Sequence, residues 1–494
     1  MQDRFMGIAE RRHTQLKPVF PWALLLAAFL AVAVAICLVG SVRFAAGQPQ
    51  ASMPILAFAA GYLAAGIAFL FTTLVLRRRF GEEPAVDGKT VLFVFLVGLG
   101  LRAVLIASEP VLEVDFNRYL WDGAMTARGF NPFAIAPADI ALLPYDDLRV
   151  ELSKAAGPVF DGISYPELKS IYPPVAQAAF ALAYWIAPFE LWAWRLVAIA
   201  ADTATFWLLI ALLAAAGRSA LWSVLYWWSP LVLKEIANSA HMEAIVLPLV
   251  LASLLLSIRG RHLGAVLMLG LAAGAKLWPI MLAPILLRPL LARPQALAAT
   301  MAMLAALLSL FALPAYLGGI DTSSGFVAFA NHWTTNSALF PAMERMAAGI
   351  ARAEPDSLMP GRVLRLATAA TVLGLAVWLS RGPAKTANDT LGRAFIVTSV
   401  LVLASPAQFP WYVLWVLPLA ALVRGNGWHV AAALMPIYYI AFHFIVIDQQ
   451  HIYSNFIVWL LWIPIWIALG VDGWRCAFRH DGERSCSGSN IRVP

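Results

Sequence analysis

Apolar runs of about 20 residues, the length a helix needs to cross a bilayer, recur along the chain from Pro21 to Asp472. No water-soluble core could bury them all. Of the 494 residues, 61% are hydrophobic and 13% charged, and the mean hydropathy is +0.75. A soluble protein would carry roughly a quarter charged residues. The fold class read from this pattern is an all-α polytopic membrane protein. Its 19 tryptophans suit the headgroup zone. The formal charge of +7 arises from basic residues in short loops between apolar runs. These are topology determinants and not a nucleic-acid surface. Cys37 lies in an apolar run, and Cys476 and Cys486 lie in the polar tail, a spacing that offers neither a metal site nor a disulfide framework. The first apolar run is too long for a cleaved signal peptide and is expected to stay as an anchor.

Basic residues orient the spans. Arg4, Arg11, Arg12 and Lys17 precede the first span and Arg77, Arg78 and Arg79 follow the second, which puts both clusters in the cytoplasm. Spans at about 20–42, 53–76 and 90–108 leave residue 109 outside, and the polar stretch from Glu109 to about Ser170 becomes a long first outer loop. If Tyr172–Ile186 crossed, Arg218, Arg259, Arg261, Arg288, Arg293, Arg475 and Arg479 would all break the positive-inside pattern. That segment is therefore read as a helix lying on the outer leaflet. Further spans are expected at about 192–216, 220–236, 244–258, 262–275, 277–291 and 296–316. A second outer loop covers about 317–361, and the last spans are about 362–380, 393–405, 409–424, 428–447 and 455–472. The total is about fourteen transmembrane helices.

Polar residues are expensive in such a chain, so their clustering is informative. The first loop opens Glu113-Val-Asp115-Phe-Asn117-Arg118-Tyr119-Leu-Trp-Asp122-Gly123, and Gly129-Phe-Asn131-Pro132-Phe133 and Tyr172-Pro173-Pro174 follow. Arg118 and Asp122 are one helical turn apart and could pair. A carboxylate held beside a cation at the lipid–water boundary is a reasonable general base; alternatively, such loop acids are simply solvated. Asn238-Ser-Ala-His241-Met-Glu243 lies between two spans, where His241 and Glu243 could orient a substrate, bind a metal, or merely cap the span ends. Lys276 sits between two half-length spans and needs an anionic partner such as phosphate, unless it snorkels to water. The second loop offers Asn331, His332, Trp333 and Asn336. Ser405-Pro406-Ala-Gln408-Phe-Pro410-Trp411-Tyr412 forms an outer turn suited to a sugar or polyprenyl headgroup, or to an interfacial aromatic belt.

In their order, Glu113-Val-Asp115-Phe, Asp122, Gly129-x-Asn131-Pro132-Phe133 and Tyr172-Pro173-Pro174 resemble the first outer loop of GT-C fold glycosyltransferases, multi-span enzymes that use lipid-phosphate sugars. The pattern is similar to the mannosyltransferase that adds the first mannose to GPI anchors, to the glucosyltransferases of N-glycan assembly, and to bacterial polyprenyl-phosphate-mannose-dependent enzymes. Asp202, His241, Glu243, Lys276 with Pro279, and Pro410-Trp411-Tyr412 resemble the bacterial members. The pair here is Glu-x-Asp where many members have Asp-x-Asp, so Asp115 is the better match to the family's catalytic acid. The resemblance implies a GT-C-like bundle whose long first outer loop carries outer-leaflet helices. It divides the chain into a two-span extension (1–89), a catalytic core (90–425, with outer loops at about 109–191 and 317–361), C-terminal spans (426–472) and a cytoplasmic tail (473–494).

The activity implied is inverting transfer of a hexose, mannose in the first place, from a polyprenyl-phosphate donor to an acceptor hydroxyl on a glycan or glycolipid. The bacterial cell membrane, with the site facing outward, is the expected location. Asp115 would be the base and Glu113 its neighbour. Arg118, Asp122, Tyr172, His241, Glu243, Lys276, His332, Trp411 and Tyr412 are expected to bind substrate. Arg118, Lys276 or Arg195 would stabilise charge on the leaving phosphate. No metal and no cofactor are expected. A secondary transporter or flippase would also have intramembrane charges such as Arg102, Asp202 and Lys276, but it predicts duplicated halves, and no internal repeat is visible. A catalytically idle envelope scaffold predicts that Asp115 is dispensable.

Overall fold

In a computed structural model, residues 19–478 are described apart from 46–47, 82, 353, 355–356 and 424. The expected cytoplasmic residues Arg4, Arg11, Arg12, Lys17 and Arg479, and most of the tail with Cys486, lie outside them. The described residues are helical throughout, with one isolated parallel bridge between Thr335 and Ala407.

The long apolar runs form the expected helices: α1 (Val19–Ser41), α2 (Ile55–Phe80), α3 (Gly88–Leu105), then α4 (Asp115–Ala127) and α5 (Pro174–Ile186) in the first loop. They continue as α6 (Leu191–Ala215), α7 (Glu243–Ile258), α8 (His262–Ala275), α9 (Pro294–Leu317), α10 (Met359–Leu379), α11 (Ala387–Ala404), α12 (Gly427–Val446) and α13 (Gln450–Arg475). Among the described residues, nine helices are long and apolar enough to cross a membrane, or ten if the pair Pro230–Asn238 and Glu243–Ile258, bent by 120°, counts as one span. The protein is a multi-pass membrane protein, but helix length supports nine or ten crossings, not about fourteen. The reason is local. The stretch expected to cross at 220–236 is broken into short 3₁₀, α and π pieces, and His262–Ala275, Trp278–Leu290 and Pro410–Leu422 are short apolar helices. Proline starts or interrupts several of these pieces, where it removes a helix donor. Pro174–Ile186 has only 13 residues, about 20 Å of helix, which is too short to span.

The first loop folds down onto the bundle. Helix α4 packs along α5, which rests on α6 and α8. The approach is close at Gly123, where a Cβ would stand 2.5 Å from the Phe180 carbonyl oxygen. The first two helices are also built in: α1 packs on α3 and α2 on α12, with Gly66 set against the Ala433 backbone.

One buried ion pair ties α3 to α6. Arg102 Nε donates to Asp202 Oδ2 at 2.7 Å, and its Nη1 donates to the Gly98 and Trp227 carbonyls at 2.9 and 2.8 Å. The guanidinium stacks 3.4 Å from the Trp227 ring, and Tyr226 donates to Asp202. These two charges satisfy each other inside the bundle and do not line a path through it. Removing one partner leaves a buried charge, which typically costs about 3–5 kcal/mol. Asp202→Ala should therefore lower the thermal midpoint of the detergent-purified protein strongly. An unchanged midpoint would refute the structural role of the pair.

Candidate active site

Beyond α3 the chain is clipped in place before it reaches Glu113. Arg195 Nη1 donates to the carbonyls of Ile106 (2.8 Å) and Ser108 (2.7 Å), and its Nη2 donates to that of Asn238. Asn238 accepts from Val111 N at 3.0 Å and donates to Ser108 Oγ at 2.8 Å and to the Glu109 carbonyl at 2.7 Å. Two non-glycine residues then adopt left-handed backbone, Leu112 (φ 53°) and Ala240 (φ 59°). Such conformations cost of order 1–3 kcal/mol and persist where the surroundings over-determine them. Each immediately precedes a functional side chain, Glu113 and His241. Trp194 Nε1 holds the Ala240 carbonyl at 2.6 Å.

The strained turns bring an acid–imidazole–acid chain together. His241 Nε2 lies 3.0 Å from Glu113 Oε2 and 3.3 Å from Glu235 Oε2. A ring nitrogen between two carboxylates must carry a proton, and two negative charges favour the imidazolium. Lys234 Nζ is 3.5 Å from Glu235 Oε2, Tyr439 OH donates to Glu235 Oε1 at 2.8 Å, and Lys234 donates to the same hydroxyl. Lys234 and Glu235 sit on a π-helical turn, Leu233–Asn238, a distortion common at functional sites. The His241 ring stacks on Trp411 with centroids 3.9 Å apart, and Trp411 stacks on Phe409 at 4.3 Å.

Glu113 also shapes the start of α4: its Oε1 accepts from the backbone N–H groups of Val114 (2.9 Å) and Asp115 (2.8 Å). Burial disfavours its charge, but His241 and Lys234 outweigh that and hold Glu113 below the usual carboxylate range. Asp115 goes the other way. Burial and then the Glu113 charge push it up to about 7, against the pull of His241 and Lys276. Its carboxylate is half-buried and makes no hydrogen bond or ion pair with any described residue.

The opposite wall is an ion pair set on aromatics. Lys276 pairs with Glu243, the first residue of α7. Its Nζ lies 4.6 Å from the Tyr412 ring centroid and 5.1 Å from that of Trp415. Tyr412 and Trp415 stack at 4.1 Å, and Trp278 continues the stack at 5.1 Å. Glu243 Oε2 is buried and unpartnered among the described residues, leaving an acceptor free for a hydroxyl.

The structure thus gathers Glu113, Asp115, His241, Glu243, Lys276, Trp411 and Tyr412. Tyr172 joins as a neighbour, edge-on to Tyr119 at 5.1 Å, and the Asp115 charge reaches both phenols. Other expectations need correction. Arg118 does not pair with Asp122: it donates to the carbonyls of Ser164 (3.3 Å), Tyr165 (2.9 Å) and Leu168 (3.1 Å), pinning the first loop. Asp122 is buried and accepts from Ser170 Oγ at 2.5 Å and Gln177 Nε2 at 3.1 Å, so it braces α4 against α5. Burial pushes it above the usual range despite Arg118. Arg195 is committed to the clip. His332 is exposed at the end of a short helix, Gly325–His332, with no hydrogen bond or ion pair to a described residue. Sequence reasoning missed Lys234, Glu235 and Tyr439. The signal was a Lys-Glu dipeptide inside an apolar run, where charges are seldom idle.

Among the described residues, Glu113, Asp115 and His241 could also hold a metal ion, with ligand atoms within 4.8 Å of one another. Coordination requires a neutral imidazole, so a cation would have to displace the proton shared with Glu235.

A multi-pass helical membrane protein with an unpaired acid beside cations and stacked aromatics has the equipment of a membrane glycosyltransferase. The chain belongs to the family described as "Alpha-(1->6)-mannopyranosyltransferase, N-terminal domain", whose model matches residues 22–292, more than half of its length. It is 22% identical over 405 residues to alpha-(1->6)-mannopyranosyltransferase A of Mycobacterium tuberculosis, covering 77% of this chain and 74% of that protein. No solved structure matches it. The matched region begins within α1, so it includes the first two helices as well as Glu113, Asp115, Lys234, Glu235, His241, Glu243 and Lys276. The protein is a glycosyltransferase of a mannosyltransferase family.

Lys276→Met should strand the buried Glu243 carboxylate and lower the thermal midpoint. Adding Glu243→Gln should restore most of the loss, because the uncompensated charge goes with it. Additive losses in the double variant would argue against a direct pair.

Proposed function

We propose that the protein transfers mannose from a polyprenyl-phosphate donor to an acceptor hydroxyl, with inversion at the anomeric carbon, on the extracytoplasmic face of the membrane. The observation that carries this reading is the isolation of Asp115. Within the cluster, Glu113, Glu235 and Glu243 each form an ion pair (with His241, Lys234 and Lys276), whereas Asp115 forms none with a described residue. An unpaired carboxylate pushed up to about 7 is matched to proton abstraction near neutral pH.

In the proposed step the acceptor oxygen attacks the anomeric carbon from the side opposite the phosphate. The bond from that carbon to the phosphate oxygen breaks, and its electron pair leaves with the polyprenyl phosphate. The acceptor proton passes to Asp115. Lys276 and the His241 imidazolium supply positive charge for the departing phosphate. Trp411, whose two faces are covered by His241 and Phe409, and Tyr412 can meet the sugar with their apolar edges, and Glu243 is the acceptor to which one of its hydroxyls would donate. A lipid-borne donor fits a site that opens at the base of an outer loop between membrane helices. The mycobacterial relative is named as an alpha-(1->6)-mannopyranosyltransferase, which makes a glycan hydroxyl the acceptor to try first.

Asp115→Asn keeps the shape but removes the proton acceptor, and should lower turnover on the order of 100- to 10,000-fold while donor binding changes little. Near wild-type turnover in a folded variant would sink the assignment. The rate should rise with pH through about 7 and then level, because only the ionised Asp115 accepts a proton. In Glu113→Gln that rise should move to lower pH, since the Glu113 charge helps hold the Asp115 pKa up. A shift to higher pH would contradict the electrostatic account. Turnover should also survive exhaustive chelation; its loss, with recovery on adding a divalent cation, would turn Glu113, Asp115 and His241 into a metal centre.

A further inference from the structure

The segment Trp278–Leu290 begins beside Lys276 at the candidate active site and ends in a second cavity of about 630 Å³. Its walls are apolar and come from membrane helices: Leu287 from the segment itself, Leu297 and Met301 from the start of α9, and Val377 from the end of α10. Arg288 and Arg381 also line it. Met301 and Val377 are each 51% exposed, so the cavity opens on the surface that faces lipid.

Among the described residues the arginines have no anionic partner. Arg288 Nε and Nη2 donate only to the Arg381 backbone carbonyl, at 3.3 and 3.2 Å, and neither guanidinium forms an ion pair with a described residue. The carboxylate of Asp389 forms no ion pair with either: its Oδ2 accepts from the N–H groups of Lys385 and Thr386 in the cap of α11, and its Oδ1 is buried without a hydrogen-bond partner among the described residues. A third cation stands close by, since Arg393 donates to the carbonyls of Gly382 (2.8 Å) and Pro383 (3.2 Å), next to Arg381. Arginines that only set topology need no shared cavity; here two of them share one with apolar walls.

We propose that this cavity is a binding site for one anionic phospholipid of the surrounding bilayer, its headgroup phosphate held by Arg288 and Arg381 and its acyl chains lying along Leu297, Met301 and Val377. Charge complementarity selects this occupant. A zwitterionic lipid brings a cation of its own to a site that already has an excess of them, and a soluble anion has no use for the apolar walls. Cationic pockets between membrane helices are recognised sites for acidic headgroups.

Native mass spectrometry of the detergent-purified protein, offered equal amounts of phosphatidylglycerol and phosphatidylcholine, tests this. Phosphatidylglycerol should be retained about thirtyfold over phosphatidylcholine, given roughly 1 kcal/mol for each of the two basic residues near an anionic headgroup. R288Q/R381Q should abolish the preference, and L297W, which narrows the apolar wall where the acyl chains would lie and leaves both charges in place, should weaken retention. Three results would overturn the proposal: equal retention of the two lipids by the wild type, unchanged phosphatidylglycerol binding in L297W, or displacement of phosphatidylglycerol by inorganic phosphate, which would mark a plain anion site. If R288Q/R381Q does not fold, L297W alone decides.

Discussion

The site hangs on His241 and the two carboxylates that hold it. Its imidazole bridges Glu113, which arrives from the first loop, and Glu235, which belongs to a π-turn inside the membrane bundle. That bridge docks the loop on the helices. Glu113 in turn fixes the first turn of α4 through two backbone N–H groups, which sets where Asp115 stands. A buried charge is tolerable only when paired, so Glu113, Glu235 and Glu243 each stand in an ion pair, and Asp115 alone does not. The strain at Leu112 and Ala240 reads as the backbone cost of making those two ends meet.

The same bookkeeping explains why Asp115 is suited to the role of base proposed for it. Alternating charges from Lys234 through Glu235 and His241 to Glu113 are self-contained, and so is the pair Glu243–Lys276. A carboxylate placed between two neutralised networks has no counter-charge of its own and sits beside the negative end of one of them. Burial raises its proton affinity first and the Glu113 charge adds to it, with no paired cation to cancel either. The aromatic stacks along Phe409, Trp411, Tyr412 and Trp415 form the apolar side of the same cluster. The second helix reaches its far side, where Tyr62 packs against Tyr439 at 6.1 Å.

Much of this was legible in the sequence. Twenty-residue apolar runs announce a membrane bundle because a bilayer imposes that length, and the acids that open the first loop announce a site because charge is rare in such a chain. Asp115, Glu113, His241, Glu243 and Lys276 were therefore findable one by one, although their pairing was not. Pairing depends on which short segments break: the run at 220–236 reads as one smooth span, and only the fold shows the π-turn that turns Lys234 and Glu235 inward. Arg118 and Asp122 misled for a related reason. Helical spacing puts them one turn apart, but the folded loop offers each a better partner, backbone carbonyls for the guanidinium and Ser170 with Gln177 for the carboxylate. The helix count of about fourteen goes beyond the nine or ten spans that helix length supports, because proline-started short segments stand where long spans were expected.

The central claim is that an unpaired carboxylate drives displacement of a lipid-borne phosphate. Its most direct test is to supply the purified protein with a polyprenyl-phosphate mannose of known anomeric configuration, in parallel with a nucleotide-linked mannose. The anomeric configuration of the mannose transferred to a mannoside acceptor would then be read by nuclear magnetic resonance. The account predicts transfer from the lipid-linked donor alone, with a product of the opposite configuration. Transfer from the nucleotide sugar, or a product that keeps the donor's configuration, would contradict it.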